Sequence, residues 1–376
     1  MIPVISHLTA AGYKHVAKPL LFRQPPDDVH DHMVATGKFV QRLTPIRSTL
    51  HWAWAYRNPR LSQTVFGLQF ANPIGLSAGL DKNFELAPLM RSVGFGFMEG
   101  GSITFEPCAG NPKPWFHRLP ADGSLVVNAG LANQGAERIV ARLQAQTVLP
   151  NFPLNISVAK TNSAQACSTD AAIADYLGSL KLIQKSGVAQ LVTLNISCPN
   201  TFGGQPFTTP ERLEALLSAT DTLNLTIPLI VKMPNHLDWP EFCQLAEVAA
   251  NHQVAGLTIA NLAYRDQVKL SQPIPITIPG KLSGRPTLAR SNQLIGHTKR
   301  LFGDRFVIIG VGGVFSAEDA YTKITLGANL VELITGLIFQ GPQLIGQINA
   351  DLIKFLDRDG YDHISDAVGS NPLMLN

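Results

Sequence analysis

The chain has 376 residues, 45% hydrophobic and 15% charged, with a formal net charge of +3. That composition excludes a disordered chain, and a weak positive balance with no run of five Lys or Arg leaves no nucleic-acid partner expected. Four scattered cysteines (Cys108, Cys167, Cys198, Cys243), with no C-x-x-C pair and no His at zinc spacing, exclude a metal finger or disulfide scaffold and fit free thiols in a reducing compartment.

The first sixty residues carry eight basic side chains against Asp27, Asp28 and Asp31, and two of the four tryptophans. Apolar residues recur there at helical spacing: Val34, Phe39, Val40 and Leu43, then Leu50, Trp52 and Trp54. No small-residue cleavage site follows the opening apolar run. A basic, aromatic, helical appendage suits an anionic membrane surface, and packing on the main domain is the plain alternative. The longest apolar runs fall far short of the roughly 20 residues that cross a bilayer.

From Phe66 the rhythm changes to short β-rich runs. Strands are expected at Pro73–Leu80, Phe95–Ile103, Pro153–Ala159, Leu191–Ile196, Leu229–Met233, Gly256–Ala260, Val307–Val311 and Leu330–Thr335. Helical patterns at Ala171–Lys185, Pro210–Leu223, Trp239–Asn251, Ala289–Phe302, Ala317–Leu326 and Pro342–Leu356 separate or follow them. Eight β-α units in one chain predict an α/β fold, a (β/α)8 TIM barrel over 63–376 with an N-terminal helical extension over 1–62. Phe105–Gln134 and Leu262–Thr287 break the alternation after the second and sixth strands. Both follow strand C-termini, the face on which barrel enzymes build their sites, and are expected to roof one.

Polar residues gather at those strand ends: Ser77-Ala78-Gly79, Gly101-Ser102, Asn155, Asn195, Lys232, Asn261, Gly312-Gly313 and Thr335-Gly336. Any one could be a satisfied structural group, but so many around one rim point to a ligand that pairs them. Glycine turns after strands seven and eight, each leading into a helix, are the phosphate cradle of barrels. Cys198, in Asn195-Ile196-Ser197-Cys198-Pro199-Asn200-Thr201, stands among amide donors on a loop that Pro199 stiffens. A modest shift from about 8.5 would let its thiol act at neutral pH, and without a His partner proton abstraction is favoured over acyl transfer. Cys167 and Cys243 are expected buried and inert, Cys108 exposed and inert.

These motifs resemble a family. TVFGLQFANPIGLSAGLDKN (64–83), GFGFMEGGSIT (94–104), GNPKPWFHRLP (110–120), NISCPNT (195–201), LSGRP (282–286) and IIGVGGVFSAEDAYTKITLGANLVEL (308–333) are similar, in order, to dihydroorotate dehydrogenases of the second, quinone-using class. The resemblance implies FMN on Ser77, Ala78, Gly79, Gly101, Ser102, Asn155, Asn195, Lys232, Ser283 and Gly284. Its phosphate would lie on Gly312, Gly313, Thr335 and Gly336. Lys232 suits the flavin N1/O2 edge, where a cation stabilises negative charge. Lys82, Asn195, Asn200 and Asn261 would hold dihydroorotate, Lys82 through its carboxylate. Cys198 would take the C5 proton while hydride leaves C6 for flavin N5. Arg118 would face a quinone arriving through an apolar tunnel built by the extension. The implied setting is the cytoplasmic side of the inner membrane, in peripheral contact with lipid and with no obligate protein partner.

Several residues depart from the family pattern. Cys198 stands where the second class usually has serine. In LVVNAGLANQG (125–135), Val127 takes the place of a ligand-binding Asn, so either a bulge turns Asn128 inward as a substrate contact or that contact is missing. Ala260 and Leu262 replace threonines beside Asn261, Ile334 replaces an aromatic, and Phe84 replaces a glycine. These changes keep open a flavoenzyme acting on another dihydropyrimidine or cyclic amide. A flavin- or membrane-binding relative without turnover is the third reading, opposed by retention of Lys82, Lys232, Asn195, Asn200 and Asn261.

Overall fold

The computed structural model describes residues 4–146, 149–198, 200–202, 204, 207–275 and 277–371. Four helices open it: α1 (Val4–Gly12), α2 (Lys18–Leu21), α3 (Pro26–Val40) and α4 (Thr44–Trp54). Proline in the first turn starts the last three, where its missing N–H leaves no intrahelical bond unmade. The strands then run β1 (Gln63–Val65), β2 (Leu68–Phe70), β3 (Ile74–Leu76), β4 (Phe97–Ile103), β5 (Phe116–Leu119), β6 (Ser124–Val127), β7 (Leu154–Val158), β8 (Leu191–Asn195), β9 (Leu229–Lys232), β10 (Val254–Ile259), β11 (Lys281–Gly284), β12 (Val307–Val311) and β13 (Leu330–Leu333).

The eight expected strands are β3, β4, β7, β8, β9, β10, β12 and β13, and they close a parallel barrel in that order. Most expected runs overshoot by a residue or more, because the polar strand ends leave the ladder to build loops. The two interrupting segments pair with each other: β5, β6 and β11 form a separate antiparallel sheet. The β1–β2 hairpin closes the barrel floor, with Phe70 edge-on to Phe97 at 5.3 Å.

Inside the barrel, strand alternation stacks two unlike layers. Phe97, Leu191, Ile230 and Leu330 form the apolar floor. Two residues further on, facing the same way, come Glu99, Thr193, Lys232 and Glu332, all buried. Capped helices surround the barrel, among them one over Thr169–Ser186, begun by the Ser168 side chain, and one over Trp239–Ala250, begun by an Asp238–Glu241 capping box.

The extension is tied to the barrel mouth by specific bonds. Asp27 accepts the Trp115 N–H at 3.0 Å, Tyr13 Oη donates to the Ile338 carbonyl at 2.6 Å, and Lys38 pairs with Glu85 at 2.7 Å.

Candidate active site

One cavity of about 660 Å³ occupies the C-terminal mouth of the barrel and continues between the helices of the extension. Its inner wall carries Ser77, Ala78, Gly79, Gly101, Ser102, Asn195, Cys198, Asn200, Lys232, Asn261, Ser283, Gly284, Gly312, Gly313, Thr335 and Gly336. Lys82 and Arg118 line it as well. Residues spread over more than 250 positions therefore meet because parallel strands deliver all their C-terminal ends to one rim.

The turn expected to cradle a phosphate is built on two glycines. Gly312 and Gly313 hold φ of +115° and +73°, and a Cβ on Gly313 would lie 2.4 Å from Leu288. The N–H groups of Gly313 and Gly336 have no partner among the described residues, so the turn presents unspent donors to an anion. Thr335 Oγ1 donates to Ser283 Oγ at 3.0 Å, tying roof to rim.

Below the rim, Lys232 Nζ lies 3.4 Å from Ser77 Oγ and 3.5 Å from Glu99. The Glu332 carboxyl joins this cluster, held well above the ordinary carboxylate range by burial and by the charge of Glu99. The direction favours the neutral form of Glu332 in this cluster. Neither Glu99 nor Glu332 stands out in the sequence as a site residue. The signal was a charged side chain on a barrel strand's inward face.

Asn195 Nδ2 donates to Ser102 Oγ at 2.8 Å, while Asn261 Nδ2 donates to Ser197 Oγ at 2.9 Å. Asn200 Nδ2 donates to the Val127 carbonyl at 2.8 Å. Three amides thus converge beside Cys198. Removal from bulk water pushes Cys198 up to about 11, against the smaller pull of the Asn200 N–H, Lys160 and Lys232. Lys160 was missed by the sequence reading; it donates to the Phe202 carbonyl at 2.7 Å on the loop that follows Cys198. Pro199 lies outside the described residues.

Other expectations need correction. Asn155 is not on the cavity wall: it lies one layer deeper, fully buried and bonded to Thr193 Oγ1 at 2.8 Å. Ser157, two residues on, reaches the rim layer and bonds Ser102 Oγ at 2.8 Å. Asn128 does not turn inward. The β5–β6 register runs unbroken from Leu119↔Ser124 to Phe116↔Val127, with no bulge. Val127 therefore lines the cavity, and Asn128 accepts from Asn111 Nδ2 at 3.0 Å outside it. Asn111 in turn donates to the Asn200 carbonyl at 3.1 Å, so Asn128 supports the loop that carries Asn200 at one remove.

Ala260, Leu262 and Ile334 all line the cavity, whereas Phe84 does not. Phe84 is a core residue at φ +56°, its ring filling the space that a Cβ on Gly100 would enter. Cys108 is buried, donating to the Gly130 carbonyl at 3.5 Å, while Cys167 and Cys243 are half-buried.

At the extension end of the cavity the Arg118 guanidinium sits over the Phe22 ring at 4.6 Å and donates to the Gln24 carbonyl at 2.7 Å. Around it the wall is apolar, with Leu21, Val29, Met33, Val40, Ile46 and Leu50 from the extension.

A family model described as dihydroorotate dehydrogenase matches residues 60–356. Curated relatives named dihydroorotate dehydrogenase (quinone) include that of Synechococcus sp. (strain JA-2-3B'a(2-13)), 36% identical over 91% of this chain and 93% of the relative. That of Deinococcus deserti is 35% identical over 96% of this chain and 99% of the relative. Among solved structures, the ligand-free dihydroorotate dehydrogenase of Eimeria tenella superposes with a TM-score of 0.78 at 25% identity, covering 89% of this chain and 98% of that one. The same organism's enzyme in complex with ferulenol gives a TM-score of 0.80 at 24% identity, covering 93% and 98%.

Proposed function

The chain belongs to the dihydroorotate dehydrogenase family, in its quinone-dependent class, and we propose that it oxidises (S)-dihydroorotate to orotate on FMN and passes the electrons to a quinone, in pyrimidine (UMP) synthesis. The observation that carries this reading is the single cavity in which Lys82, Cys198, three amides, Lys232 and the glycine cradle meet an apolar passage through the extension.

The donors of Gly313 and Gly336 fit a phosphate, and Ser77, Gly101, Ser102, Lys232 and Ser283 fit the ring system above the barrel core. When bound, FMN supplies the acceptor for the C6 hydride and the relay to the quinone. Lys82 pairs with the substrate carboxylate, and Asn195, Asn200 and Asn261 hold the ureide edge. Cys198, as thiolate, would take the C5 proton. With FMN bound, Lys232 would be the residue able to offset negative charge on the ring. The apolar cavity wall keeps water from the reacting atoms.

Residues 1–62 serve as the quinone passage and membrane contact, with Arg118 at its inner end. Leu8, Val16, Leu20, Phe39 and Trp52 are exposed on the extension, which supports lipid contact; the membrane face proposed is the cytoplasmic side of the inner membrane. Among the described residues no helix is long and apolar enough to cross a membrane, and the contact proposed is a peripheral one.

A second substrate reading, another dihydropyrimidine or cyclic amide, draws on Val127, Ala260 and Leu262 presenting an apolar wall where polar contacts are the family pattern. An anaerobic visible spectrum before and after dihydroorotate separates the two. A yellow protein that bleaches is the expected result. One that stays yellow moves the assignment to the second substrate, and a colourless protein sinks the flavin reading.

A further inference from the structure

His30 belongs to α3, in the extension, but its ring reaches the barrel site. It packs against Phe116 with centroids 5.5 Å apart, and its Nε2 lies 3.2 Å from Lys82 Nζ. No other hydrogen-bond partner of that ammonium occurs among the described residues; the Trp115 and Phe116 rings flank it at 5.7 and 5.4 Å.

The charged groups around the pair are Asp27 and Asp31 on α3, Asp81 beside Lys82, and Lys113 opposite. Each carboxylate is already engaged. Asp27 holds the Trp115 N–H, Asp31 holds Lys113 at 2.8 Å, and Asp81 accepts the N–H groups of Asn83, Glu85 and Leu86. The imidazole is what remains to receive a Lys82 hydrogen. Burial and the neighbouring Lys82 push His30 down to about 4, so its ring is neutral, with Nε2 the acceptor and the proton on Nδ1. Burial also lowers Lys82 to about 8. Both side chains line the main cavity and a second, smaller one of about 380 Å³ beside α3, so they form part of the partition between them.

We propose that His30 is a positioning residue for the substrate: by accepting a hydrogen bond from Lys82 it holds the ammonium at the carboxylate subsite and makes the N-terminal extension part of substrate binding as well as of quinone access. This rests on the reading that Lys82 binds the substrate carboxylate. An ammonium offers three hydrogens, so one bond to His30 leaves two for a carboxylate. Without the acceptor, the buried ammonium is less stable and its pKa falls further. Removing the extension then weakens the substrate site too.

The test is orotate binding to the FMN-loaded protein, read from the perturbation of the flavin spectrum between pH 6 and 9. Wild-type, His30→Ala, His30→Gln and Lys82→Met proteins are compared. His30→Ala should weaken orotate roughly tenfold, the worth of a hydrogen bond to a charged group. It should also move the alkaline loss of binding to lower pH. His30→Gln, whose amide oxygen can take the same hydrogen, should restore both. Unchanged orotate affinity and pH limb in His30→Ala, with Lys82→Met impaired, overturns the positioning role, even if the quinone KM rises. Normal orotate binding by Lys82→Met overturns the underlying subsite reading as well.

Discussion

A Cys198 thiol near 11 makes a quantitative demand on the pH dependence of flavin reduction. At pH 7 about one molecule in 10⁴ carries the thiolate, and each pH unit raises that fraction about tenfold. Lys82 works in the opposite sense: its ammonium, which on the proposed function pairs with the substrate carboxylate, is lost above about 8. The apparent second-order rate constant for reduction by dihydroorotate should therefore climb about tenfold per unit up to pH 8. Between 8 and 11 it should level, because gained thiolate offsets lost ammonium. At saturating substrate the bound carboxylate holds Lys82 protonated, and the limiting rate should continue to rise past pH 8. Anaerobic stopped-flow absorbance at limiting and saturating dihydroorotate resolves the two curves. Cys198→Ala should bind FMN, reduce it roughly 10²-fold or more slowly, and lose the rise with pH. A limiting rate already flat at pH 7 would show that the thiol ionises in the working enzyme and that the desolvation argument is wrong. An unaltered profile in Cys198→Ala would remove the residue from the chemistry.

Three further outcomes are expected. Val127→Asn returns an amide to the cavity wall, and one added hydrogen bond of about 1 kcal/mol should tighten orotate about fivefold by spectral titration; weaker binding would mark Val127 as packing against a different ring. Replacing exposed Leu8 and Trp52 together by Glu should reduce co-sedimentation with anionic vesicles while leaving flavin reduction by dihydroorotate unchanged; undiminished vesicle binding would move the lipid contact elsewhere. Lys323 is fully buried, donates to Ser291 Oγ and Asn292 Oδ1, and is pushed down to about 7 by burial. Its folded pKa lies below the unfolded value, so the unfolded chain binds more protons between about pH 7 and 10, and stability should rise with pH across that window by a few kcal/mol. Lys323→Met should abolish this rise in urea unfolding, and an identical slope in both proteins would contradict the burial argument.

How much was legible in the sequence follows from what each feature depends on. The barrel was legible because eight β-α units each carry a local signal of apolar run, turn and amphipathic helix. The glycine turn after β12 was legible for the same reason, since Gly312 and Gly313 mark a turn that the adjacent backbone alone requires. Asn195, Asn261 and Lys232 were recognisable at strand ends and Cys198 on the loop after one, and parallel topology carries such ends to one rim, whereas Lys82 and Asn200 came only with the family resemblance.

What failed was whatever depended on register or on partners distant in the chain. Asn155 has the strand face of Ser157 but sits two residues, about 7 Å, further down, so a correct strand still put the wrong side chain at the rim. Whether Asn128 or Val127 pointed inward stayed open because a one-residue step in a strand reverses the face, and only pairing with β5 and β11 settled it. The thiol's acidity was set by depth, which a linear string does not contain. The Glu99–Lys232–Glu332 cluster joins three strands, and the His30–Lys82 bond spans 52 positions between the extension and the barrel. Local sequence chose the elements and the chemistry available at their ends. Tertiary packing chose which of those groups touch, and through desolvation and neighbouring charge, which of them hold a proton.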